Sequence, residues 1–495
     1  MEGVQAVREV RHVRVHREFS LARHRGLRFG RRLRDDEEVR ARTAALRGRR
    51  SPARGSARGR GRGLGRGIAG GDPSIRHSAH GRPVRDRDRD RRGRGAKGDQ
   101  APPEPLTFSA DPLHLTTILT DLVATNSVNP RLVEGAPGET EIARLTARHM
   151  REAGLEVARY EPEAGRPSVV GRLAGAGSGQ ALMLNAHYDT VGVEGMEAPF
   201  SPSLRDGRLY GRGAYDMKGA LAACIEAARL LRESGRRLAG DVLVAAVADE
   251  EYASLGTADL LERRVRGELA FDAAIVTEPT SLDLCVAHRG FTWIEITTRG
   301  RAAHGSRYRE GIDANVRMGR ILHRLEAFMG ELQSRPGHPL LGPPSMHAPL
   351  LEGGSGISTY SPRCTLRVER RTVPPETRES VEAEIAAIIE DLRAEDPSLE
   401  VAWSTFFHRE PFETTPEAPV AACVSRAART VLGSVPEVIG DSPWMDSALM
   451  QAAGVDSVVI GPAGEGAHAD VEWVDLASCA RLAEILAEAA ADYCG

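Results

Sequence analysis

Residues 241–251 read DVLVAAVADEE, an apolar run that ends in three acids. Three other stretches are also apolar along nearly their whole length: ALMLNA at 181–186, AAIVT at 273–277 and VDSVVI at 455–460. Such runs are typical of strands buried on both faces, as in a parallel sheet covered by helices. Apolar residues with helical spacing at 112–125 and 139–153 provide covering helices. The sequence therefore predicts an α/β fold with a mainly parallel sheet flanked by helices.

Residues 290–408 have a different pattern. Three strand-like segments, FTWIEITTRG, CTLRVERRTV and LEVAWSTFF, are separated by helical segments at 316–332 and 376–393. Because this order is of the β-α-β-β type, we expect a smaller α+β domain of ferredoxin-like form, inserted into the larger one. The larger domain is then made from residues 106–289 and 409–495.

The first 105 residues differ from the rest in charge and composition. Residues 1–100 hold 28 arginines, one lysine and 12 acids, whereas the remaining 395 residues carry a net charge of −20. This arginine- and glycine-rich segment cannot bury enough apolar surface to offset its ordering entropy, so we expect a disordered tail or an extension of the gene model. An arm that binds nucleic acid is disfavoured, because no aromatic residue lies between the arginines of residues 50–105.

The composition of the 495 residues also excludes other classes of protein. No apolar run approaches the roughly 18 to 20 residues of a membrane span, so we expect a soluble protein with no membrane partner. The six cysteines form no C-x-x-C pair and no signal peptide precedes them. We therefore expect reduced thiols in a cytoplasmic protein, with neither a disulfide framework nor a zinc knuckle.

Acids or a histidine follow each predicted core strand. Ligands of open α/β sheets bind outside the carboxyl ends of the strands, so we expect these side chains to converge. They are His187, Asp189, Glu250, Glu251, Glu278 and His468, together with Asp216 among the glycines of GRGAYDMKG. Taken singly, His187 and Asp189 are also compatible with a polar turn, and Asp216 with a helix cap. Their joint placement at one sheet edge indicates a functional site.

The residue types indicate a metal centre. Two histidines and three acids offer nitrogen and oxygen ligands without thiolate, which suits Zn²⁺, with Mn²⁺ or Co²⁺ as substitutes. One ion needs fewer than five ligands, so an acid shared between two ions explains the set. Glu250 and Glu251 are adjacent and point in different directions, which allows one to bind metal and the other to act as a base.

The motifs NAHYDTV, GRGAYDMKG, ADEE, TEPTS, GRAAHGS and GEGAHADVEW follow one another between about residue 105 and the C-terminus. In this order they resemble the two-zinc aminoacylase and carboxypeptidase family of metallopeptidases, which includes acetylornithine deacetylase and succinyl-diaminopimelate desuccinylase. The resemblance implies two zinc ions per subunit. The implied ligands are His187 and Glu278 for one ion, Glu251 and His468 for the other, and Asp216 for both. It also implies that Glu250 is the general base and that Asp189 orients a histidine.

The same resemblance implies an enzyme that hydrolyses the amide bond of N-acyl amino acids. Glu250 would take a proton from water and return it to the leaving amine. His304, in GRAAHGS, resembles a histidine that reaches the substrate oxyanion across a homodimer formed by the inserted lid domain. Arg371 lies where the family places an arginine for the substrate carboxylate. A loop role for His304 and a surface role for Arg371 remain as alternatives.

The substrate is not determined by these motifs. Residues 358–362 read STYSP, where the family usually has asparagine, an apolar residue and proline, so the specificity of one member does not transfer. A dipeptidase or carboxypeptidase with the same mechanism is the main alternative, and assays of N-acetyl amino acids against dipeptides separate the two. A nucleic-acid-binding protein that keeps the metal fold as a scaffold is tested by deleting residues 1–104. A catalytically silent relative is disfavoured, because it has no need of Glu250 as a spare base.

Overall fold

The structure is a computed structural model that describes residues 108–495. The predictions of a disordered tail and of a nucleic-acid-binding arm in residues 1–105 lie outside the described residues. Among the residues described, no helix has the length and apolar content needed to cross a bilayer. All six cysteines are free and buried.

From the start of the described chain to residue 288, two helices are followed by five strands, and helices and strands alternate only after residue 219. They are α1 Pro112–Ala124, α2 Thr140–Glu152, β1 Glu156–Tyr160, β2 Ser168–Leu173, β3 Leu182–His187, β4 Ser203–Arg205, β5 Arg208–Tyr210, α3 Gly219–Glu233, β6 Val242–Val247, α4 Leu255–Val265, β7 Ala273–Val276 and β8 Leu284–His288.

The remaining elements follow from residue 290. They are β9 Gly290–Arg299, α5 Ala314–Ser334, β10 Ser345–Gly353, β11 Arg363–Thr372, α6 Arg378–Glu395, β12 Val401–Arg409, β13 Phe412–Glu413, α7 Pro419–Leu432, β14 Val438–Asp441, α8 Ser447–Ala452, β15 Asp456–Val459, β16 Gly464–Glu465, β17 Trp473–Asp475 and α9 Leu476–Tyr493.

The largest sheet has nine strands in the order β1-β2-β6-β3-β7-β15-β8-β13, with β14 beside β8. Its centre is parallel, because β3 pairs in parallel with β6 and β7, and β7 with β15. The outer strands β1, β2 and β13 pair antiparallel. The predicted α/β fold class is confirmed, and the sheet is mixed at its edges.

Every residue of β3, β6 and β7 is buried, which explains the apolar runs that predict these strands. Successive side chains of a strand point to opposite faces of the sheet. Accordingly, Leu182 and Leu184 belong to one hydrophobic cluster, and Met183, between them, belongs to another. Both faces of the central strands are therefore packed against apolar side chains.

Strands β9 to β12 form a separate antiparallel sheet in the order β10-β11-β9-β12. Along β9, buried and half-buried residues alternate, as expected for a sheet covered on one face. Helices α5 and α6 contribute to a hydrophobic cluster whose buried members all lie between residues 294 and 401. This smaller α+β unit confirms the predicted interruption of the main fold.

A third, small sheet has the order β16-β17-β5-β4. The antiparallel pairing of β17 with β5 places residues 473–475 beside residues 208–210. The loop before β17 is thereby brought next to the loop after β5. These two loops carry His468 and Asp216.

Candidate metal centre

The predicted site residues lie at the carboxyl edge of the large sheet. His187 is the last residue of β3, the pair Glu250 and Glu251 follows β6, and Glu278 follows β7. Since these three strands are parallel neighbours, their carboxyl ends lie side by side. His468 comes from the loop between β16 and β17 and completes the group.

Asp216 lies between the two histidines. Its Oδ1 atom is 3.1 Å from Nε2 of His187, and its Oδ2 atom is 3.3 Å from Nε2 of His468. The backbone at Asp216 has φ −115° and ψ 93°, which is extended and not helical. Asp216 therefore does not cap α3, which begins at Gly219. Its two oxygens face different halves of the site.

The other acids are divided between the two histidines. Nε2 of His187 lies 3.5 Å from Oε1 of Glu278 and 3.9 Å from Oε2 of Glu250. Nε2 of His468 lies 3.0 Å from Oε2 of Glu251. Two sets of three donor atoms lie within 4.8 Å of one another, namely His187, Glu250 and Glu278, and His187, Asp216 and Glu251.

Electrostatics at this edge favour a bound cation. Burial raises the pKa of Glu250 and Glu278 well above the usual carboxylic range, and that of Glu251 to about 7. Hydrogen bonds with Asp216 and Glu251 raise the pKa of His468 to about 10. A divalent cation relieves the repulsion among the four carboxylates, and nitrogen and oxygen donors at these separations fit ligand distances of about 2 Å to zinc.

Asp189 contacts both His187 and the acids, but in different ways. Nδ1 of His187 is 3.1 Å from the backbone oxygen of Asp189 and 3.6 Å from its carboxylate oxygen Oδ1. The carboxylate accepts the backbone N–H groups of Glu250 and Glu251, at 3.1 and 3.3 Å. Asp189 thus orients the histidine mainly through its main chain, and its side chain holds the two glutamates.

Glu472, which is not among the residues predicted from the sequence, is buried and joins two loops of the site. Its carboxylate accepts the backbone N–H groups of Gly213, Tyr215 and Asp216 at 2.9 to 3.1 Å, and Nη1 of Arg212 at 2.7 Å. Glu472 stands within the quoted motif GEGAHADVEW. Its partners are more than 250 residues earlier in the chain, so spacing gave no signal of this contact.

A cavity of about 290 Å³ opens beside the candidate metal ligands. Asp216, the three glutamates and His468 form one side of it. Tyr215, Pro443, Trp444 and Met445 form an apolar wall, and Asp441 adds a further carboxylate. The His187 side chain is buried, whereas 56% of the His468 side chain is exposed. The cavity therefore gives a small molecule access to the acids.

Two predicted residues of the lid do not join this cluster in the described chain. His304 is exposed, and its Nδ1 atom is 2.9 Å from Oγ of Ser306. Arg371 is half-buried and donates from Nη2 to the backbone oxygen of Ser442, which adjoins the cavity wall. Arg371 thus links the lid to the loop that carries Trp444, and does not line the cavity itself.

In the divergent segment 358–362, Ser361 is buried, whereas Ser358, Thr359 and Pro362 are exposed. Ser361 donates from Oγ to the backbone oxygen of Arg363 at 2.8 Å and accepts the N–H of Gly354 at 3.1 Å. Its hydroxyl is therefore engaged by the lid's own backbone.

Comparison with known proteins places the chain among metal-dependent hydrolases. The sequence model of peptidase family M20/M25/M40 matches residues 183–492. An acetylornithine deacetylase of Myxococcus xanthus is 30% identical over 396 residues, which cover 77% of this chain and 98% of that protein. The N-formyl-4-amino-5-aminomethyl-2-methylpyrimidine deformylase of Bacillus subtilis is 26% identical over 379 residues, covering 70% and 88%.

The fold is also similar to solved structures. The Bacillus subtilis protein YxeP, described as a dinuclear metal-binding peptidase of the M20 family, aligns with a TM-score of 0.61 and 18% identity. The alignment covers 77% of this chain and 98% of that one.

Proposed function

Since the chain belongs to peptidase family M20/M25/M40 and is a metal-dependent amidohydrolase, we propose that it removes the acyl group of N-acyl amino acids. The observation that carries this proposal is Asp216 between two histidines, with Glu250 beside them at the wall of a small cavity. A similarity to a deacetylase over 98% of that protein supports the same chemistry.

We propose two zinc ions as the cofactors, with Co²⁺ or Mn²⁺ as substitutes. His187 and Glu278 would hold one ion, and Glu251 and His468 the other, with Asp216 shared between them. When bound, the ions supply Lewis acidity to the amide carbonyl and lower the pKa of water. The dinuclear description of YxeP supports this assignment.

Glu250 is the proposed general base. It lines the cavity, and its carboxylate is not needed to complete either proposed ligand set. Burial raises its pKa well above the usual range, which increases its affinity for a proton taken from water. Glu250 then delivers this proton to the nitrogen of the leaving amine, so the carboxylate is regenerated after each cycle.

The lid is proposed to complete the site in a homodimer. We propose residues 106–289 and 409–495 as the catalytic domain, and residues 290–408 as the lid and dimerisation domain. The edge strand β10 exposes Leu350 and Leu351, as an unpaired strand of a subunit interface does. His304 would then stabilise the oxyanion from the partner side, and Arg371 would bind the substrate carboxylate. Six free, buried cysteines support a cytoplasmic location.

Removing the metal from the purified enzyme tests the function. We expect dialysis against a chelator to abolish hydrolysis of N-acetyl amino acids, and zinc or cobalt to restore it. Full activity without metal contradicts the proposal. A panel of N-acetyl, N-formyl and N-succinyl amino acids and dipeptides then distinguishes a deacylase from a dipeptidase.

A further inference from the structure

A cluster of buried polar side chains lies behind Asp189. The proposed reaction assigns no role to these residues. The members of the cluster are Asn129, Glu139, Arg166 and Asp249, and each is at most 3% exposed. Burying a polar group destabilises the fold unless the group forms hydrogen bonds. The hydrogen-bond partners of such a cluster therefore show which residues it holds in place.

Asn129 separates two carboxylates. Its Nδ2 amide donates to Oδ2 of Asp189 at 2.8 Å and to Oδ1 of Asp249 at 3.0 Å. Its Oδ1 atom accepts the N–H of Arg131 at 2.9 Å, and its own N–H donates to the backbone oxygen of Thr190 at 2.9 Å. The side chain is therefore fixed from both ends, with both amide hydrogens directed at acids.

Arg166 holds the other side of Asp249. Its Nη2 atom donates to Oδ1 of Asp249 at 2.7 Å, while Nε and Nη2 form a fork with the carboxylate of Glu139 at 2.6 Å each. Such bidentate pairs fix direction as well as distance. Three buried carboxylates, those of Glu139, Asp189 and Asp249, are thus oriented by one guanidinium and one amide.

The cluster ends at a backbone turn that needs support. Asp249 has φ +70°, an unfavourable value for a residue with a side chain, and it directly precedes Glu250. The N–H groups of Glu250 and Glu251 both donate to Asp189. The turn that aims these two glutamates is therefore held by the two acids that Asn129 and Arg166 orient.

We propose that Asn129 and Arg166 are positioning residues for the reaction, which act by holding Asp189 and Asp249 and so direct Glu250 and Glu251. This inference rests on the proposed function of the two glutamates. The orientation of the Glu250 carboxylate determines whether it can transfer the proton. The orientation of the Glu251 carboxylate determines the coordination geometry of the ion that it would bind. Outer partners of metal ligands alter metal affinity or activity by about 10- to 100-fold in other enzymes.

An exchange of amide and carboxylate tests the cluster without changing its volume. In Asn129→Asp, the donor between two acids is replaced by a third acid. We expect kcat to fall by about 10- to 100-fold with KM within about threefold, because substrate binding does not use this cluster. Adding Asp249→Asn restores an amide opposite the new carboxylate, so the double variant is expected to recover at least about threefold of the lost kcat.

A lysine variant provides a second line of evidence if Asn129→Asp does not fold. Arg166→Lys keeps the charge but cannot form the fork, so the same fall in kcat is expected. The matched control is Arg317→Lys in the lid. Arg317 is also buried and donates only to groups of the lid, namely the backbone oxygens of Arg299 and Ser398 and the Ser398 hydroxyl. The control should lower the Tm of the metal-free protein and leave kcat unchanged.

The absorption spectrum of the cobalt-loaded protein gives a readout apart from activity. We expect Asn129→Asp and Arg166→Lys to change the Co²⁺ bands, because the bands depend on ligand geometry, and Arg317→Lys to leave them unchanged. Wild-type Co²⁺ bands with kcat within about twofold of wild type in both variants overturn the proposal. The proposal is also overturned if Arg317→Lys loses as much kcat as the two variants at an equal fall in Tm. A wild-type protein that binds Co²⁺ but hydrolyses no substrate refutes the proposed function instead, and the spectra still test the positioning.

Discussion

Asp216 shows how much of the site depends on single side chains. Its position shortly before α3 is typical of a helix cap, yet its oxygens face His187 and His468. The extended backbone at this residue, together with the hydrogen bond from its N–H to Glu472, directs the carboxylate away from the helix. A residue whose position in the sequence is typical of a helix cap thus lies at the centre of the candidate metal site.

The substitution Glu250→Ala distinguishes the proposed role of Glu250 as the base from a role as a metal ligand. The substitution removes the proton acceptor but none of the ligands assigned to zinc. We expect kcat to fall by at least about 10²-fold while the zinc content stays near that of wild type. Turnover and metal content measured on the same preparation check this. Turnover within about tenfold of wild type rejects Glu250 as the base.

His288 predicts a pH dependence of stability that is independent of the metal. Its ring stacks on Phe412, and its Nε2 atom lies 2.8 Å from Oγ of Ser447. Burial, together with the charge of Arg371, lowers its pKa to about 4. Because the unfolded chain binds the proton near pH 6.5, stability is lost as the pH falls from about 6.5 to 4.

The expected loss of stability can be measured by urea unfolding of the metal-free protein. Between pH 7 and pH 5, His288 should lower the free energy of unfolding of the wild type by about 2 kcal/mol. His288→Gln should lack this contribution, so its pH dependence is shallower by that amount. Equal pH dependence in the two proteins contradicts the prediction.

At the scale of elements, the site depends on loops that the sheet edges bring together. The pairing of β17 with β5 places the His468 loop beside the Asp216 loop. Glu472 and Arg212 then join them, and Nη2 of Arg212 also donates to the backbone oxygen of Ala469 at 3.1 Å. Two proposed ligands, Asp216 and His468, come from distant parts of the chain and are thereby held in a fixed relation.

Glu472→Gln tests this connection. The amide that replaces one oxygen cannot accept the N–H groups now bound there, so the Asp216 loop loses part of its support. We expect zinc affinity, measured by calorimetry on the metal-free protein, to fall by about 10- to 100-fold. The matched control is Glu465→Gln in the same small sheet, an exposed residue of β16, which should leave affinity unchanged. Unaltered affinity in Glu472→Gln refutes the role of the connection.

A single chain provides the candidate metal ligands but leaves His304 on the exposed surface of the lid. The proposed homodimer accounts for this, because each site would combine Glu250 of one subunit with His304 of the other. His304→Ala alone should reduce turnover strongly without altering the fold.

Mixing inactive variants tests this arrangement. A heterodimer of Glu250→Ala and His304→Ala subunits contains one intact site, so equal mixing with subunit exchange should restore about a quarter of wild-type activity. The mixture is assayed against each variant alone. No recovery, in spite of demonstrated exchange, shows that His304 acts within its own subunit or not at all.

The fold class and the convergence of the site residues follow from the amino-acid sequence alone. Apolar runs predict strands buried on both faces, as β3, β6 and β7 are. Because the carboxyl ends of parallel strands share one edge of the sheet, the sequence predicts that His187, Glu251 and Glu278 lie close together. The segment FTWIEITTRG was likewise predicted to be a strand, and it forms β9.

The contacts that hold these residues in place, by contrast, become visible in the folded chain. The contacts of Glu472 with the Asp216 loop and of Asn129 with Asp189 and Asp249 join residues 60 to 259 positions apart in the chain. Hydrogen bonds of this kind depend on where the folded chain places each group, and neither hydrophobic periodicity nor local spacing encodes that placement. The same reason explains why Asp189 meets His187 mainly through its backbone oxygen, and why Arg371 reaches Ser442 instead of the cavity.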